Sequence, residues 1–212
     1  SGFRVPIFVL GLSFPEQAEL FVDYDLIATV STSEFIRALA QAAQKRGGAA
    51  KVMLKIDTGM ARIGISPEKA FPFIQEIQTC PGIKLVGAFT HLAEVDPSDL
   101  ASAQEQLRRF TEVLEHLGAT IVFRKVQQTP GKPMLFAVAG EKLFFGLPGK
   151  PQSTHFCFSR YVAPALRAFA GDPLPVWEGV GILAADSPCE GNGTRFIPMQ
   201  AQFHPQHFVA LY

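Results

Sequence analysis

Short apolar runs alternate with amphipathic stretches through the first 117 residues of this 212-residue chain. Runs of β-branched and aliphatic residues predict strands, and apolar residues at helical spacing predict the helices between them. The predicted strands are Pro6–Leu10, Leu26–Val30, Lys51–Ile56 and Lys84–Thr90. Because strands that alternate with helices usually run parallel, this part of the chain predicts an α/β fold built from βα units.

Four helices are predicted between and after these strands. Polar capping residues or proline mark where they begin, and glycines follow two of them. The predicted helices cover residues 15–22, about 33–45, a stretch opened by Ser66–Glu68, and about 99–117. This half of the sequence therefore predicts a partial (βα) barrel-like, mostly parallel sheet.

The pattern changes after Gly118. Thr120–Val126 predicts a strand, which we expect to lie beside Val86–Thr90 as a fifth parallel strand and so to continue the first sheet. Met134–Ala139 and Lys142–Phe145 predict a hairpin, and residues 153–170 predict a long helix. Residues 173–212 predict a small all-β C-terminal module. The predicted organisation is residues 1–117, an α/β segment over 118–172, and the β module.

Composition restricts the classes of function. Lysines and arginines balance aspartates and glutamates at 19 each, which gives no electrostatic reason to expect nucleic acid or an anionic membrane as partner. No apolar run reaches the roughly 20 residues of a membrane helix. Three widely spaced cysteines fit a reducing cytoplasm. We expect a cytoplasmic protein, truncated at both termini, that binds small anionic ligands at most and forms homo-oligomers.

Charged residues cluster where the third predicted strand becomes a loop. Lys55, Asp57 and Arg62 lie in this stretch, among glycines. Ligands of parallel α/β proteins bind at the carboxyl ends of strands, and two cations beside a carboxylate suit an anionic cofactor or substrate. Spacing alone favours a polar turn with a structural ion pair, because polar loops at strand ends are common and only some of them bind ligands.

The residues themselves resemble a known family. The stretch K-I-D-T-G-M-A-R-I-G over 55–64 resembles the K-x-D-T-G-M-x-R-x-G motif of the alanine racemase barrel. Residues 89–93, F-T-H-L-A, resemble that family's F-T-H-F/L-A strand end, and Gln106 and Phe110 agree as well. The resemblance covers residues 1 to about 117. It implies a pyridoxal phosphate (PLP) cofactor contacted by Lys55, Asp57, Arg62 and His91, with Arg62 against the ring oxygen and oriented by Lys55.

The same resemblance implies groups that have no counterpart here. Racemisation needs a lysine that links the cofactor covalently and a base on the opposite face of the substrate. In the family the lysine lies on the first barrel strand, and the base is a tyrosine of a further domain. Tyr24, Tyr161 and Tyr212 lie in no matching context.

Two Pro-Gly-Lys-Pro tetrads, residues 130–133 and 148–151, form a second constellation. Such loops can bind an oxyanion, although most are plain turns. With their surroundings they resemble the K-P-G-K-P…F-G-L-P-G-N-P-x-S signature of molybdopterin molybdotransferases, the MoeA and gephyrin E-domain family, from about residue 118 onward. The resemblance implies a site for molybdopterin and molybdate with magnesium. Its members here are Lys132, Pro148, Lys150, Pro151 and Ser153.

This second copy departs from its family. Thr129 replaces a lysine, Lys150 stands where asparagine is usual, and the glycine-rich motif that grips the pterin has no counterpart. We therefore expect a composite or chimeric chain without a complete active site. We assign no catalytic residue and no metal ligand, and expect neither cofactor to stay bound. The alternatives are a partial racemase that keeps PLP-pocket residues and a partial molybdotransferase that keeps anion-binding loops.

Overall fold

A computed structural model describes residues 5–93, 100–172, 182–183, 194–196, 201–204 and 207–211. The chain divides into two compact units, residues 1–120 and residues 121–212. Each unit is built around its own sheet or sheets.

The first unit is a four-stranded parallel sheet of order β1-β2-β3-β4, with helices between successive strands. Its strands are β1 (Ile7–Leu12), β2 (Leu26–Val30), β3 (Ala50–Ile56) and β4 (Ile83–Thr90). A 3₁₀ turn (Pro15–Gln17) leads into α1 (Ala18–Asp23), and the other helices are α2 (Ser33–Lys45), α3 (Pro67–Thr79) and α4 (Leu100–His116). The prediction of an α/β fold with a parallel sheet is confirmed.

The core of this unit lies between the helices and one face of the sheet. Val52, Leu54 and Ile56 alternate along β3 and are completely buried on that face, as the two-residue period of a strand requires. The helices contribute the remaining large buried side chains, among them Ile36, Leu39, Ile74 and Ile77.

The other face of the sheet is concave. Strands lie about 4.8 Å apart, so the two outer strands of a flat four-stranded sheet would be about 14 Å apart. Phe8 of β1 and Phe89 of β4 nevertheless meet edge to face, with ring centroids 5.2 Å apart. The sheet therefore curls around this face, in agreement with the predicted partial barrel.

The second unit begins around β5 (Thr120–Phe123), which shares a three-stranded sheet of order β5-β7-β8 with β7 (Leu135–Ala139) and β8 (Lys142–Gly146). Strand β6 (Gln128–Thr129) lies between them in sequence. The helices are α5 (Pro151–Cys157), a π-helical turn (Phe158–Val162) and α6 (Ala163–Phe169). The antiparallel pairing of β7 with β8, turning at Gly140, confirms the predicted hairpin.

The described residues beyond α6 form the short strands β9 (Ile182–Leu183), β10 (Thr194–Arg195), β11 (Ala201–His204) and β12 (His207–Leu211). Strand β12 pairs with β11 and β9, and β10 pairs with β6. Much of the predicted β module over 173–212 lies outside the described residues, so that module stays a prediction. No described helix has the length and apolar character needed to cross a membrane.

The prediction that residues 120–126 continue the first sheet is wrong. In the described parts of the chain β4 is hydrogen-bonded only to β3, and β5 belongs to the sheet with β7 and β8. The hairpin offers β5 an apolar partner close in sequence: Phe123 packs against Phe136, with ring centroids 5.8 Å apart. A nearby partner also costs less chain entropy to reach than a distant strand edge.

The helix predicted over residues 153–170 is real but interrupted. It begins at Pro151 and widens into a π-helical turn over Phe158–Val162. Pro164 follows this turn and has no backbone N–H, so the ordinary bond to the carbonyl of Arg160 cannot form. The proline therefore accounts for the irregularity.

We predict that Leu54→Ala lowers the free energy of unfolding of the first unit by about 2–5 kcal/mol, because the side chain is completely buried in the central part of the sheet. Leu20→Ala is the matched control, since that side chain is 51% exposed on α1, and should cost less than about 1 kcal/mol. Urea unfolding of both variants measures the difference. Equal losses would contradict this placement of the core.

Candidate functional site

The loop that follows β3 is closed back onto the end of its own strand. The Asp57 N–H donates to the Ile65 carbonyl and the Ile65 N–H donates to the Lys55 carbonyl, both at 2.9 Å. These bonds form a short parallel bridge between Ile56 and Ile65. Residues 57–64, which we call the arginine loop, are therefore held at the carboxyl end of β3.

The carboxylate of Asp57 is the hub of the arginine loop. Its Oδ1 accepts the backbone N–H groups of Gly59 and Ala61, and its Oδ2 accepts that of Arg62, each at 3.0 Å. Partial burial raises the pKa of this carboxyl, but the backbone N–H groups outweigh burial and hold the pKa below its usual value of 3.8. Asp57 is therefore a structural anion that orders the loop.

A glycine is required at the end of the loop. Gly64 has a φ of +120°, and a Cβ there would lie 2.8 Å from the Asp57 amide nitrogen. Real Cβ atoms do not approach backbone so closely, and L residues with a side chain rarely adopt this φ. The glycine at this position of the motif thus lets the loop return to its strand.

The cationic side chains of Lys55 and Arg62 differ in environment. Arg62 is exposed, whereas Lys55 is only 3% exposed. The Lys55 Nζ donates to the Ile56 carbonyl at 2.8 Å and lies 5.4 Å from the centre of the Phe89 ring. Burial lowers the pKa of Lys55; Asp57 opposes this shift and Arg62 adds to it. One of the two side chains is thus exposed, and the other is buried on the sheet.

His91 reaches the same edge of the sheet from the neighbouring strand. Thr90, the last residue of β4, is paired with Ile56, the last residue of β3. The hydroxyls of Thr58 and Thr90 are hydrogen-bonded at 3.1 Å, which ties the arginine loop to this strand end. His91 is the next residue and is exposed. The four residues predicted to contact PLP therefore lie at the carboxyl ends of two neighbouring strands, β3 and β4.

Gln106 agrees with the family pattern, but the resemblance implies no role for it. The structure buries its side chain to 4% exposure beside both strand ends, where it accepts the Ala93 N–H. Its position, four residues before Phe110 and seven before the buried Val113, is the signal in the sequence. This helical spacing places Gln106 on the buried face of α4 with the core residues. A buried polar side chain needs a hydrogen-bond partner inside the protein.

In the second unit, the first tetrad loop, residues 130–133, packs against α5. Gln128 donates from its side-chain nitrogen to the Pro130 carbonyl at 3.1 Å and accepts the Tyr161 hydroxyl. A Cβ on Gly131 would lie 2.4 Å from the Cys157 sulfur, so only glycine fits there. Lys132 is exposed beyond this anchor.

The second tetrad loop runs directly into α5. The Thr154 hydroxyl donates to the Pro148 carbonyl and also lies 3.1 Å from the Lys150 carbonyl oxygen. Pro148 is buried, Lys150 is exposed, and Pro151 is the first residue of the helix. Ser153 is half-buried in the same turn. Both predicted anion-binding loops are thus fastened to one helix.

Cys157 serves packing in this unit. Its side chain is completely buried, and burial raises the pKa of its thiol, which keeps it protonated and a poor nucleophile. Across the described segments, no group of three histidine, cysteine or acidic side chains is arranged to hold a metal ion.

Comparison with known families matches both halves of the chain. The model of the alanine racemase N-terminal domain matches residues 1–132, and a model described as a probable molybdopterin binding domain matches residues 109–168. The two matches overlap around Gly118, where the sequence pattern changes. The predicted two-part resemblance is confirmed.

Individual relatives match the first half. The alanine racemase of Halothermothrix orenii is 41% identical over 117 residues, which are 55% of this chain and 31% of that protein. The alanine racemase of Desulfovibrio desulfuricans is 37% identical over 120 residues, covering 57% of this chain and 32% of that protein. The structure of the Clostridium difficile 630 alanine racemase in complex with cycloserine has a TM-score of 0.51 at 30% identity, covering 55% of this chain and 32% of that one. The chain spans about a third of the length of these relatives.

We predict that Asp57→Asn costs about 1–3 kcal/mol of unfolding free energy at neutral pH, because an amide nitrogen would face the Arg62 N–H. The loss should shrink as the pH falls. The folded pKa of Asp57 lies below the unfolded value, so its contribution is complete above about 3.8 and disappears as the pH falls through the folded pKa.

Urea unfolding of wild type and Asp57→Asn, from neutral pH down to below the unfolded pKa of about 3.8, measures the loss of unfolding free energy. Asp25→Asn is the control, because Asp25 is 74% exposed and pairs with Lys51 at the surface. It should cost at most about 1 kcal/mol at neutral pH. Asp57→Asn no more costly than this control would show that the carboxylate does not order the loop.

Proposed function

Because the chain belongs to the alanine racemase N-terminal domain family, we propose that its arginine loop binds the ring-side oxygen of pyridoxal phosphate through Arg62, whereas the sequence alone led us to expect no bound cofactor. The observation that carries this proposal is the capture of three loop amides by Asp57. These hydrogen bonds fix the backbone of Arg62 and leave its side chain exposed. The loop lies at the carboxyl end of β3, and the carboxyl ends of strands are where parallel α/β proteins bind ligands.

The residues present fit an anionic cofactor. Lys55 and Arg62 supply two cationic groups, and the only carboxylate of the loop, Asp57, is already engaged by backbone N–H groups. A phenolic oxygen of the cofactor would therefore meet a guanidinium that no free carboxylate of the same loop opposes. Bidentate donors such as arginine hold oxyanions in a defined orientation.

The chain's own residues would have distinct roles. PLP, when bound, supplies the electron sink that makes the α-proton of an amino acid removable. Arg62 would hold the ring oxygen and orient the ring, and His91 would lie beside the cofactor on the neighbouring strand end. Lys55 would act as a buried group that supports the position of Arg62. Asp57 would order the backbone that presents Arg62.

We also propose that this chain carries only part of a racemase site and is not an active racemase alone. The match to each racemase above covers about a third of that protein. The covalent lysine and the opposing base expected from the resemblance have no counterpart in the matched stretch. A composite chain with incomplete sites from two families accounts for both findings, and cooperating catalytic groups lose most of their effect when one is missing.

We predict that 4′-deoxypyridoxine 5′-phosphate binds the chain and that Arg62→Ala weakens binding by about tenfold or more, which corresponds to about 1.4 kcal/mol. This analogue lacks the aldehyde, so it cannot react with surface lysines. Equilibrium dialysis or calorimetry gives the dissociation constant. Arg37→Ala, which removes a 70% exposed arginine of α2, should leave the affinity unchanged. Equal affinities for wild type and Arg62→Ala, or no binding to wild type, would refute the proposal.

We propose a second, independent ligand site in the second unit: an oxyanion of the molybdate type, held by Lys132 and Lys150. The supporting observation is that both tetrad loops contact α5, the first through Gln128 and Gly131 against Cys157 and the second through Thr154. This anchoring leaves both lysine side chains exposed at the loops. The match to a molybdopterin binding domain favours this ligand class, with magnesium as a further proposed component.

We predict that molybdate raises the melting temperature of the second unit and that Lys132→Ala removes the increase, because ligands that bind only the folded state stabilise it. Lys142→Ala is the control, since Lys142 is an exposed lysine of β8 outside both loops. Sulfate at the same ionic strength separates specific binding from general salt effects. An increase that persists in Lys132→Ala, or that sulfate reproduces, would refute this site.

A further inference from the structure

Helix α4 offers a rigid support next to the candidate PLP site. Val113 and Leu114 of this helix are completely buried, and Thr111 is 2% exposed. Gln106 lies two turns before Val113 on the same helix and is buried to 4% exposure. Its polar head is therefore held in place by a helix that is anchored in the core.

The side-chain amide of Gln106 binds residues 91–93, which we call the His91 segment. Its Oε1 accepts the backbone N–H of Ala93 at 2.8 Å, two residues beyond His91. Its Nε2 lies 3.4 Å from the Ser102 hydroxyl oxygen, within the helix. An amide with one donor and one acceptor function used in this way satisfies much of its polar surface while it is buried.

The stem of Gln106 packs against the arginine loop. A Cβ on Gly59 would lie 3.2 Å from Cγ and 3.3 Å from Cδ of Gln106, closer than the roughly 3.5 Å of comfortable carbon contacts. A side chain at position 59 would push the stem of Gln106 away by a few tenths of an ångström, so the glycine allows the close approach seen here. Gly59 is itself bound to Asp57 through its N–H, so Gln106 touches the loop at a point that Asp57 orders.

From these contacts we propose that Gln106 is a positioning residue that couples the arginine loop to the His91 segment. The inference rests on the proposed PLP site and assigns a residue that sets its geometry. Gln106 reaches Gly59 with its stem and Ala93 with its head, so a displacement of either segment is felt by the other. Arg62 and His91 keep their spacing because the loop that carries Arg62 and the segment that carries His91 both contact one buried side chain, at Gly59 and Ala93 respectively.

The test compares Gln106→Met with Gln104→Met. Methionine keeps the length and packing of glutamine but removes the acceptor for the Ala93 N–H. Gln104 is exposed on the same helix and is the matched control. Gln106→Glu keeps an oxygen acceptor at the same place and serves as the rescue variant.

Amide hydrogen exchange and amide chemical shifts are measured on the full chain by NMR. Gln106→Met should speed exchange at Ala93 by about fivefold to tenfold, the loss of one ordinary hydrogen bond, and Gln104→Met and Gln106→Glu should not. Introducing Asp57→Asn should shift the Ala93 amide signal when Gln106 is present and leave it unmoved in Gln106→Met. This coupling would not arise from a residue that only stabilises α4.

Neither readout requires a ligand, so the inference can fail while PLP binding survives, and the reverse. With the deoxypyridoxine phosphate probe, Gln106→Met should weaken affinity several-fold, and Gln104→Met should not. An Ala93 amide that responds to Asp57→Asn equally in both backgrounds would overturn the coupling. Unchanged probe affinity in Gln106→Met, with binding still dependent on Arg62, would overturn its role in the site.

Discussion

The candidate PLP site depends on one carboxylate, that of Asp57, and on the three backbone N–H groups that it accepts. A loop at the end of a parallel strand leaves several N–H groups without partners, and an anion at that point satisfies them together. The consequence is electrostatic as well as structural. The loop's negative charge is used internally, so the charge presented to a ligand is the guanidinium of Arg62.

The two faces of β3 explain why a buried lysine is tolerated beside this loop. Val52, Leu54 and Ile56 point into the helix-covered core, whereas Lys55 lies with Phe89 on the concave face. There its ammonium has a carbonyl and an aromatic ring as partners, which offset part of the cost of desolvation. Curvature of the sheet creates this environment, since it brings Phe8 and Phe89 together across four strands.

The sequence predicted the first unit well because its signals are local. The two-residue period of β3, the helix-opening Pro67 and the alternation of strands with helices each report on nearby residues. What failed was a pairing choice: the pattern of residues 120–126 identifies a strand but does not say which strand it joins. Gln106 was overlooked as a site residue for a related reason. Its importance comes from contacts with Gly59 and Ala93, which belong to loops far from it in sequence. The domain bounds and the residue roles proposed from resemblance remain predictions.

In both units a loop is held by hydrogen bonds while a cationic side chain of that loop stays exposed, but the residues that hold the loop differ. In the first unit a carboxylate fixes the loop; in the second, side chains of Gln128 and Thr154 do so through carbonyls. The proposed PLP site depends on the first of these arrangements. A ¹³C NMR titration of the Asp57 carboxyl carbon tests it most directly. We expect a pKa below 3.8 for this carboxyl, with the Gly59, Ala61 and Arg62 amide signals moving at the same midpoint. A pKa at or above 3.8, or amide signals that ignore the titration, would contradict it.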